Sequence, residues 1–494
     1  MYTGIQSAVL IRRLNYVIFV SVLLAAGLAP ALCSAFAGID GAGTLVVVHL
    51  LVTAFLAASL GWFNPRAALV FLMLLLPWQP FFSMPFSDAL GSTGIKLIVA
   101  TKEVYATIFL SVLFLKNSRK VRWGYADIAA LAFIAAYAIY FMKSPAGVAP
   151  RIASFKEGLM VVSFYLIGRL TLFSRDDITW MLRTTVAVAF FVAAFGFVER
   201  FLFDGLSWKY IGAVDYLESK MDTSQFGSIV INDLPLNWFT YLGNTPVRRM
   251  VGPIGDATSL SRFLALPVLA LIYMRSIAGR SRVAVPVRLV LLFFLGSALA
   301  LTLGRGGQVI LIGGLLVLIF ARRPVVALLI AAPLVLALLA ELAIFDPQSG
   351  SAIRHMAGLE KGVGALFDSP LGNGLGTSGQ MAVLYGKVDV KVSESYIGSL
   401  AFQMGLPGVL LYTLFFTLIS AYFLRAYRLC RRTTESWAMP LLAFTISSGI
   451  FFTSILANSA IAPISSGLSL IFCGAVKGAL DHERAKETLK GKVI

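Results

Sequence analysis

A handful of charged residues stand where charge is costly, and their types suggest chemistry on an anion. Arg305 lies in Leu301-Thr302-Leu303-Gly304-Arg305-Gly306-Gly307-Gln308, a turn of almost no length between two apolar runs. A guanidinium there has a planar fork suited to a pair of phosphate oxygens, and the flanking glycines leave room for a large group. It could equally snorkel to lipid headgroups. Arg248 and Arg249 open Arg248-Arg249-Met250-Val251-Gly252-Pro253-Ile254-Gly255-Asp256, just before another apolar run, and Arg262 lies one turn inside that run. A basic pair before a Gly-Pro turn suits a headgroup contact or a bound anion. Further on come Arg354 and His355, then Glu394 in Glu394-Ser395-Tyr396-Ile397-Gly398, where a polar segment enters an apolar one. A partly desolvated carboxylate at such a point is a candidate general base. It could also pair with one of the arginines, or favour the start of a helix through its charge.

The elements that must position these residues follow from composition. Of 494 residues, 58% are hydrophobic and 13% charged, and the mean hydropathy is +0.85. Soluble chains carry about 25% charged residues, so an ordinary soluble enzyme and a disordered chain are both excluded. The fold class expected is an all-α polytopic membrane bundle of about 12–14 spanning helices. Apolar stretches occur at 14–38, 44–62, 66–82, 96–115, 125–142, 156–173, 178–202, 258–276, 286–303, 306–321, 325–345, 395–424, 438–457 and 460–478. The proline-rich part between 63 and 95 is the hardest to divide. Arg12, Arg13, an apolar run and Ala35-Phe36-Ala37 resemble a signal peptide, but with so many spans following, an uncleaved first helix is expected.

Orientation follows from the basic residues. With the N-terminus cytoplasmic, every second connection is rich in Lys and Arg: Arg66; Lys116, Arg119, Lys120 and Arg122; Arg175; Arg275, Arg280, Arg282 and Arg288; Arg322 and Arg323; Arg425, Arg428, Arg431 and Arg432. The tail adds Lys477, Arg484, Lys486, Lys490 and Lys492, whereas 39–43, 83–95 and 458–463 contain no Lys or Arg. Both termini are therefore expected inside, with two long outer connections at 203–257 and 346–394. The expected organisation is an N-terminal bundle at 1–202, an interfacial loop at 203–257, central helices at 258–345, a second loop at 346–394, C-terminal helices at 395–478 and a cytoplasmic tail at 479–494.

The first loop interleaves Trp208, Tyr210, Tyr216, Phe226, Trp238, Phe239 and Tyr241 with polar residues, as an interfacial segment does. The second is rich in glycine, which allows close backbone approach to a ligand or a flexible link. Cys33, Cys430 and Cys473 form no C-x-x-C pair, and with His49, His355 and His482 so dispersed no metal site is expected. Lys102 with Glu103 should find partners between helices, while Arg169 and Arg183 are expected to snorkel. The net charge of +17 is mostly accounted for by cytoplasmic connections. The basic remainder on the outer side points to an anion there rather than to nucleic acid.

Gly304-Arg305-Gly306, the run Pro370-Leu371-Gly372-Asn373-Gly374-Leu375-Gly376, the segment from Glu394 to Gly408, and Arg249-Met250-Val251-Gly252 together resemble the O-antigen ligase and O-antigen/exopolysaccharide polymerase superfamily. The resemblance covers about 245–425. It implies transfer of glycans carried on undecaprenyl diphosphate at the periplasmic side of the bacterial inner membrane, with no metal or other cofactor. It implies donor and acceptor lipid-linked glycans as partners within the bilayer, and admits a chain-length regulator. Carried over, Arg305 and Arg249 would contact the donor diphosphate, with Arg248 beside them and Arg262, Arg354 and His355 as further candidates. Glu394, with Arg305, would serve catalysis. Ligases that load lipid A-core show His-Asn where this chain has Glu394-Ser395, which favours a polysaccharide polymerase. A ligase, and from another class a flippase of lipid-linked oligosaccharides, remain as alternatives. A flippase would place its cations in a central cavity rather than at one face.

Overall fold

The computed structural model describes residues 42–220, 230–242, 245–274, 284–323, 350–379, 394–430 and 438–489. The expected spans at 14–38 and 325–345 lie outside them. In the bilayer core backbone groups have no water to bond, so a chain this apolar must satisfy them within helices. The helices are α1 (Ala42–Phe63), α2 (Pro65–Ser83), α3 (Ser87–Val99), α4 (Thr101–Asn117), α5 (Tyr125–Lys143), α6 (Val148–Thr171), α7 (Arg175–Leu202), α8 (Gly205–Ile211), α9 (Ala213–Lys220), α10 (Ala257–Tyr273), α11 (Ala284–Leu301), α12 (Arg305–Arg322), α13 (Gly350–Asp368), α14 (Tyr396–Cys430), α15 (Ala438–Leu456) and α16 (Pro463–Leu489). Among the described residues, eight helical stretches are long and apolar enough to cross a membrane, and α10 and α11 are shorter apolar helices. The protein is an all-α, multi-pass membrane protein.

The chain forms two compact units, one from Met1–Ser118, Phe203–Leu236 and Pro253–Gly255, the other from Arg119–Leu202, Asn237–Gly252 and Asp256–Ile494. In the first, Asn64 caps α2 by accepting from the Ala67 amide at 3.1 Å, with Pro65 at the first helical position. That arrangement is where proline is best tolerated. The stretch between 63 and 95 resolves into α2, a 3-10 turn at Met84–Phe86, and α3, which Gly91 breaks at φ 59°. Lys102 and Glu103 do find partners here: the Lys102 ammonium donates to Gln79 Oε1 at 3.0 Å and the Val99 carbonyl at 2.7 Å, and lies 3.7 Å from Glu103. The stretch 203–257, read from sequence as a loop, holds α8, α9 and two short antiparallel hairpins, β1 (Val230–Ile231) with β2 (Leu234–Pro235), and β3 (Phe239–Leu242) with β4 (Thr245–Arg248). Its aromatics divide. Trp208, Tyr216 and Trp238 are buried, while Tyr210 and Tyr241 are exposed; Phe226 lies outside the described residues.

The second unit is built on close helix crossings. Gly168 of α6 and Gly474 of α16 each set the opposing backbone where a side chain would stand, against Ile471 and Tyr165. Small residues permit such approach, which gains dispersion contacts in lipid. Arg169, expected from sequence to snorkel, is instead 1% exposed. It bonds Asp127 Oδ1 at 3.4 Å, Asp481 Oδ2 at 2.5 Å and the Arg122 carbonyl at 2.6 Å. Lys477, read as a tail residue, bonds Asp127 at 3.0 Å and Asp481 at 2.8 Å. Tyr165 and Tyr422 complete the network, each donating at 2.6 Å to Asp127 and Asp481 respectively. Two acids and two bases with their lone pairs filled make burial tolerable. Removing one member leaves charge uncompensated. Asp127→Ala should therefore destabilise the protein by about 3–5 kcal/mol, read as a lower melting temperature in detergent.

The glycine-rich run after α13 approaches its own chain closely. α14 breaks at Gly405 (φ 62°) with Pro407 following, which frees carbonyls in the preceding turn. Asn373 and Gly374 donate their amides to the Phe402 and Gln403 carbonyls at 2.9 and 2.8 Å, and Leu406 donates back to Pro370 at 2.8 Å. Gly376 donates to Gln403 Oε1 at 2.8 Å. Gly372 and Gly374, at φ 76° and 97°, hold conformations that side chains disfavour. Upstream, Gly362 of α13 packs against the backbone of Gly398 in α14.

Candidate functional site

The arginines are parted by a buried carboxylate. Glu199, fully buried near the end of α7, accepts from Arg248 Nη2 at 2.7 Å through Oε1. Its other oxygen takes the Val251 and Gly252 amides at 3.1 and 3.2 Å. Arg248 thus has an acid of its own and fastens the segment after β4 to α7. Successive side chains of an extended strand point opposite ways, so Arg249 is sent toward α10 and α11. Its Nε donates to the Thr302 carbonyl at 2.9 Å, its Nη2 lies 3.4 Å from Thr258 Oγ1, and its amide donates to the Trp238 carbonyl at 2.8 Å. Burial pushes the Arg249 guanidinium below its ordinary range; the Asp256 carboxylate draws it up, and the Arg305 cation pushes it down again.

Asp256 has a second task. It caps α10, accepting from the Ser259 amide at 2.8 Å and the Thr258 amide at 3.4 Å, as a short acid before an apolar helix should. One turn inside, Arg262 is 4% exposed and lies in the field of both Asp256 and Arg249. Its Nη1 donates to Ser459 Oγ at 2.7 Å, while Nε is buried with no hydrogen-bond partner among the described residues.

α11 ends in a tight turn with Leu303 at φ 48°, and the Gly304 amide bonds Thr302 Oγ1 at 3.1 Å. The glycines around Arg305 let the start of α12 lie on α10. Gly304 and Gly307 abut Ser261, and a Cβ at Gly306 would stand 2.5–2.8 Å from the Arg262 guanidinium. The room these glycines provide is thus taken in part by a second arginine. Gly306→Val should expel the Arg262 head and cost about 1–3 kcal/mol. In an Arg262→Ala background the same change should cost much less, a coupling that a double-mutant cycle of melting temperatures would read.

Arg305 itself is exposed. It occupies the first position of α12, where the helix dipole disfavours a cation. Among the described residues it has no ion-pair or hydrogen-bond partner, and the charge it meets is that of Arg249. The Asp256 carboxylate acts on Arg249 and Arg262, and Arg305 acts on Arg249, so among these neighbours the guanidiniums outnumber the carboxylate. A helix N-terminus and unmatched arginines together attract anions.

Glu394 joins this region through the backbone. Its carbonyl accepts from the Asn458 amide at 2.7 Å, and Ser459, next in the chain, is the hydroxyl bonded to Arg262. Both belong to a 3-10 turn, Asn458–Ile461, between α15 and α16. Ser395 caps α14, accepting from the Gly398 amide at 2.9 Å and donating to the Ile455 carbonyl at 2.5 Å. Glu394 is therefore fixed, half-buried, at the head of α14. Arg354 and His355 fall within α13, and their side chains lie outside the described residues. The sequence reading missed Asp256, Asn458 and Ser459 as members of the site. Asp256 had a signal in its capping position, while the 458–463 turn was notable only for lacking Lys and Arg. Among the described residues no three His, Cys, Asp or Glu side chains gather as a metal site requires.

Fold and site together define a multi-pass helical membrane protein with a cluster of arginines at the helix ends around 249, 262 and 305. No protein-family model matches the chain, and no curated protein matches it.

Proposed function

We propose that the protein is a metal-independent glycosyltransferase of the O-antigen ligase and polymerase superfamily. On this reading it joins oligosaccharide repeat units, carried on undecaprenyl diphosphate, into an O-antigen, capsular or exopolysaccharide chain at the periplasmic face of the bacterial inner membrane. The observation that carries the reading is the run of neighbouring guanidiniums, Arg262 beside Arg249 and Arg249 beside Arg305, with Asp256 acting on Arg249 and Arg262. The positive charge of the cluster suits the negative charge of a diphosphodiester. Glycosyl transfer from such a donor leaves charge on the departing diphosphate. Cations fixed in a poorly hydrated site stabilise it as the bond breaks. Glu394 supplies an acceptor for the proton of the attacking hydroxyl, and the bond formed is glycosidic while the released group is the lipid diphosphate.

The alternation of basic connections assigns both termini to the cytoplasm and this cluster to the outside. Arginines on that side run against the usual bias, which suits a ligand rather than topology.

Deleting the gene from its own host tests the reading. The expected result is loss of long polymer, with single repeat units left on the lipid carrier in the outer leaflet. Full-length polymer retained on the carrier and absent from lipid A-core would identify a ligase. Repeat units trapped in the inner leaflet would identify a flippase and overturn the enzyme reading.

A further inference from the structure

The 458–461 turn holds polar atoms that the fold leaves unserved. Asn458 is 3% exposed, yet its side-chain oxygen and nitrogen both lack a hydrogen-bond partner among the described residues. Burying an unpaired amide is costly, and such groups call for a cause. Arg262 Nε is orphaned as well, and the Arg262 guanidinium reaches this turn through the Nη1 bond to Ser459, the residue after Asn458. The Asn458 backbone is bonded to the Glu394 carbonyl.

The two orphans ask for different partners. A guanidinium N–H donates, and a phosphate oxygen satisfies it. A carboxamide presents two donors and an acceptor, so a phosphate, which only accepts, would leave Asn458 Oδ1 unmet. A hydroxyl donates and accepts at once. We propose that Asn458 is a sugar-reading residue: its carboxamide engages a hydroxyl of the glycan whose diphosphate lies against Arg262, in a subsite beside Glu394. This inference rests on the glycan-transfer reading. It assigns Asn458 to specificity, apart from the cations that hold the diphosphate.

The test uses the purified full-length protein and two sets of probes. Binding is measured for undecaprenyl diphosphate, and for the same lipid bearing a single glucose or galactose. Undecaprenol serves as the uncharged control. Asn458→Ala should bind the sugar-free diphosphate within about twofold of wild type and lose about tenfold or more for a glycosylated lipid that wild type prefers, about 1.4 kcal/mol per tenfold. Arg305→Ala should weaken both kinds of lipid together. Asn458→Ser, with a shorter polar side chain, should show the same selective loss and guards against misfolding of the alanine variant. An equal loss on both lipids in the Asn458 variants, or no loss, would overturn the assignment, as would equal wild-type affinity with and without sugar. A wild-type protein that does not prefer the diphosphate over undecaprenol would instead overturn the underlying glycan-transfer reading.

Discussion

On the glycan-transfer reading, Arg305→Ala is expected to lower the rate of glycan joining by about 10²–10³-fold while leaving insertion and melting temperature close to wild type. Both halves of this expectation come from its place in the fold. The side chain is exposed at the first position of α12 and has no ion-pair or hydrogen-bond partner among the described residues, so its removal breaks no packing. A cation held at a helix N-terminus beside Arg249 is opposed both by the dipole and by like charge. An anion that lies between them relieves both. Arg305→Lys should recover only part of the rate, since an ammonium cannot offer the bidentate fork. The comparison to make is initial rate at saturating lipid-linked repeat unit, alongside thermal stability. Arg248→Ala should do the reverse. It leaves Glu199 buried without its cation, so its loss should appear first in the melting temperature.

Glu394→Gln lowers the rate by about 10²–10⁴-fold if the carboxylate takes the acceptor proton, with binding of undecaprenyl diphosphate unchanged. The amide is close in shape, and the residue is held in place through its carbonyl and the neighbouring Ser395 cap, so the variant should remain folded. A loss of lipid affinity in place of rate would assign Glu394 to partnering an arginine. Rate and affinity measured on the same preparation separate the two roles.

The spans were legible because hydropathy reports directly on helices that cross lipid. Ala42–Phe63, Tyr125–Lys143, Ala257–Tyr273 and Ala438–Leu456 begin and end within about three residues of the apolar stretches read from sequence. Helix that continues into polar residues was not legible that way. α6 begins at Val148, eight residues before its apolar run at 156, and α16 continues to Leu489, past 478. Arg169 illustrates a second limit. Its carboxylate partner Asp481 is 312 positions away, and no local pattern announces such a pairing. The pair Arg248-Arg249 illustrates a third, since two identical side chains are sent to opposite sides, and only the buried Glu199 distinguishes them. The glycine-rich run shows that room for close approach is visible in sequence while the approaching partner is not. Here the partner is the broken turn of α14 at Gly405.

At the site, Arg249, Arg262 and Arg305 were all legible as expensive charges, and the structure brings Arg262 and Arg305 each into the field of Arg249. Asn458 was not, because an uncharged residue in a short turn carries no sign of cost until its burial is known.

Reconstitution with a lipid-linked repeat unit is the most direct measurement. Purified protein is incubated with the undecaprenyl-diphosphate-linked repeat unit of its own host in the presence of a metal chelator, and the products are resolved by length. The glycan-transfer account predicts a ladder of joined repeat units for wild type and none above background for Arg305→Ala. No new glycosidic bonds with the wild-type protein, or an equal ladder with Arg305→Ala, would contradict it.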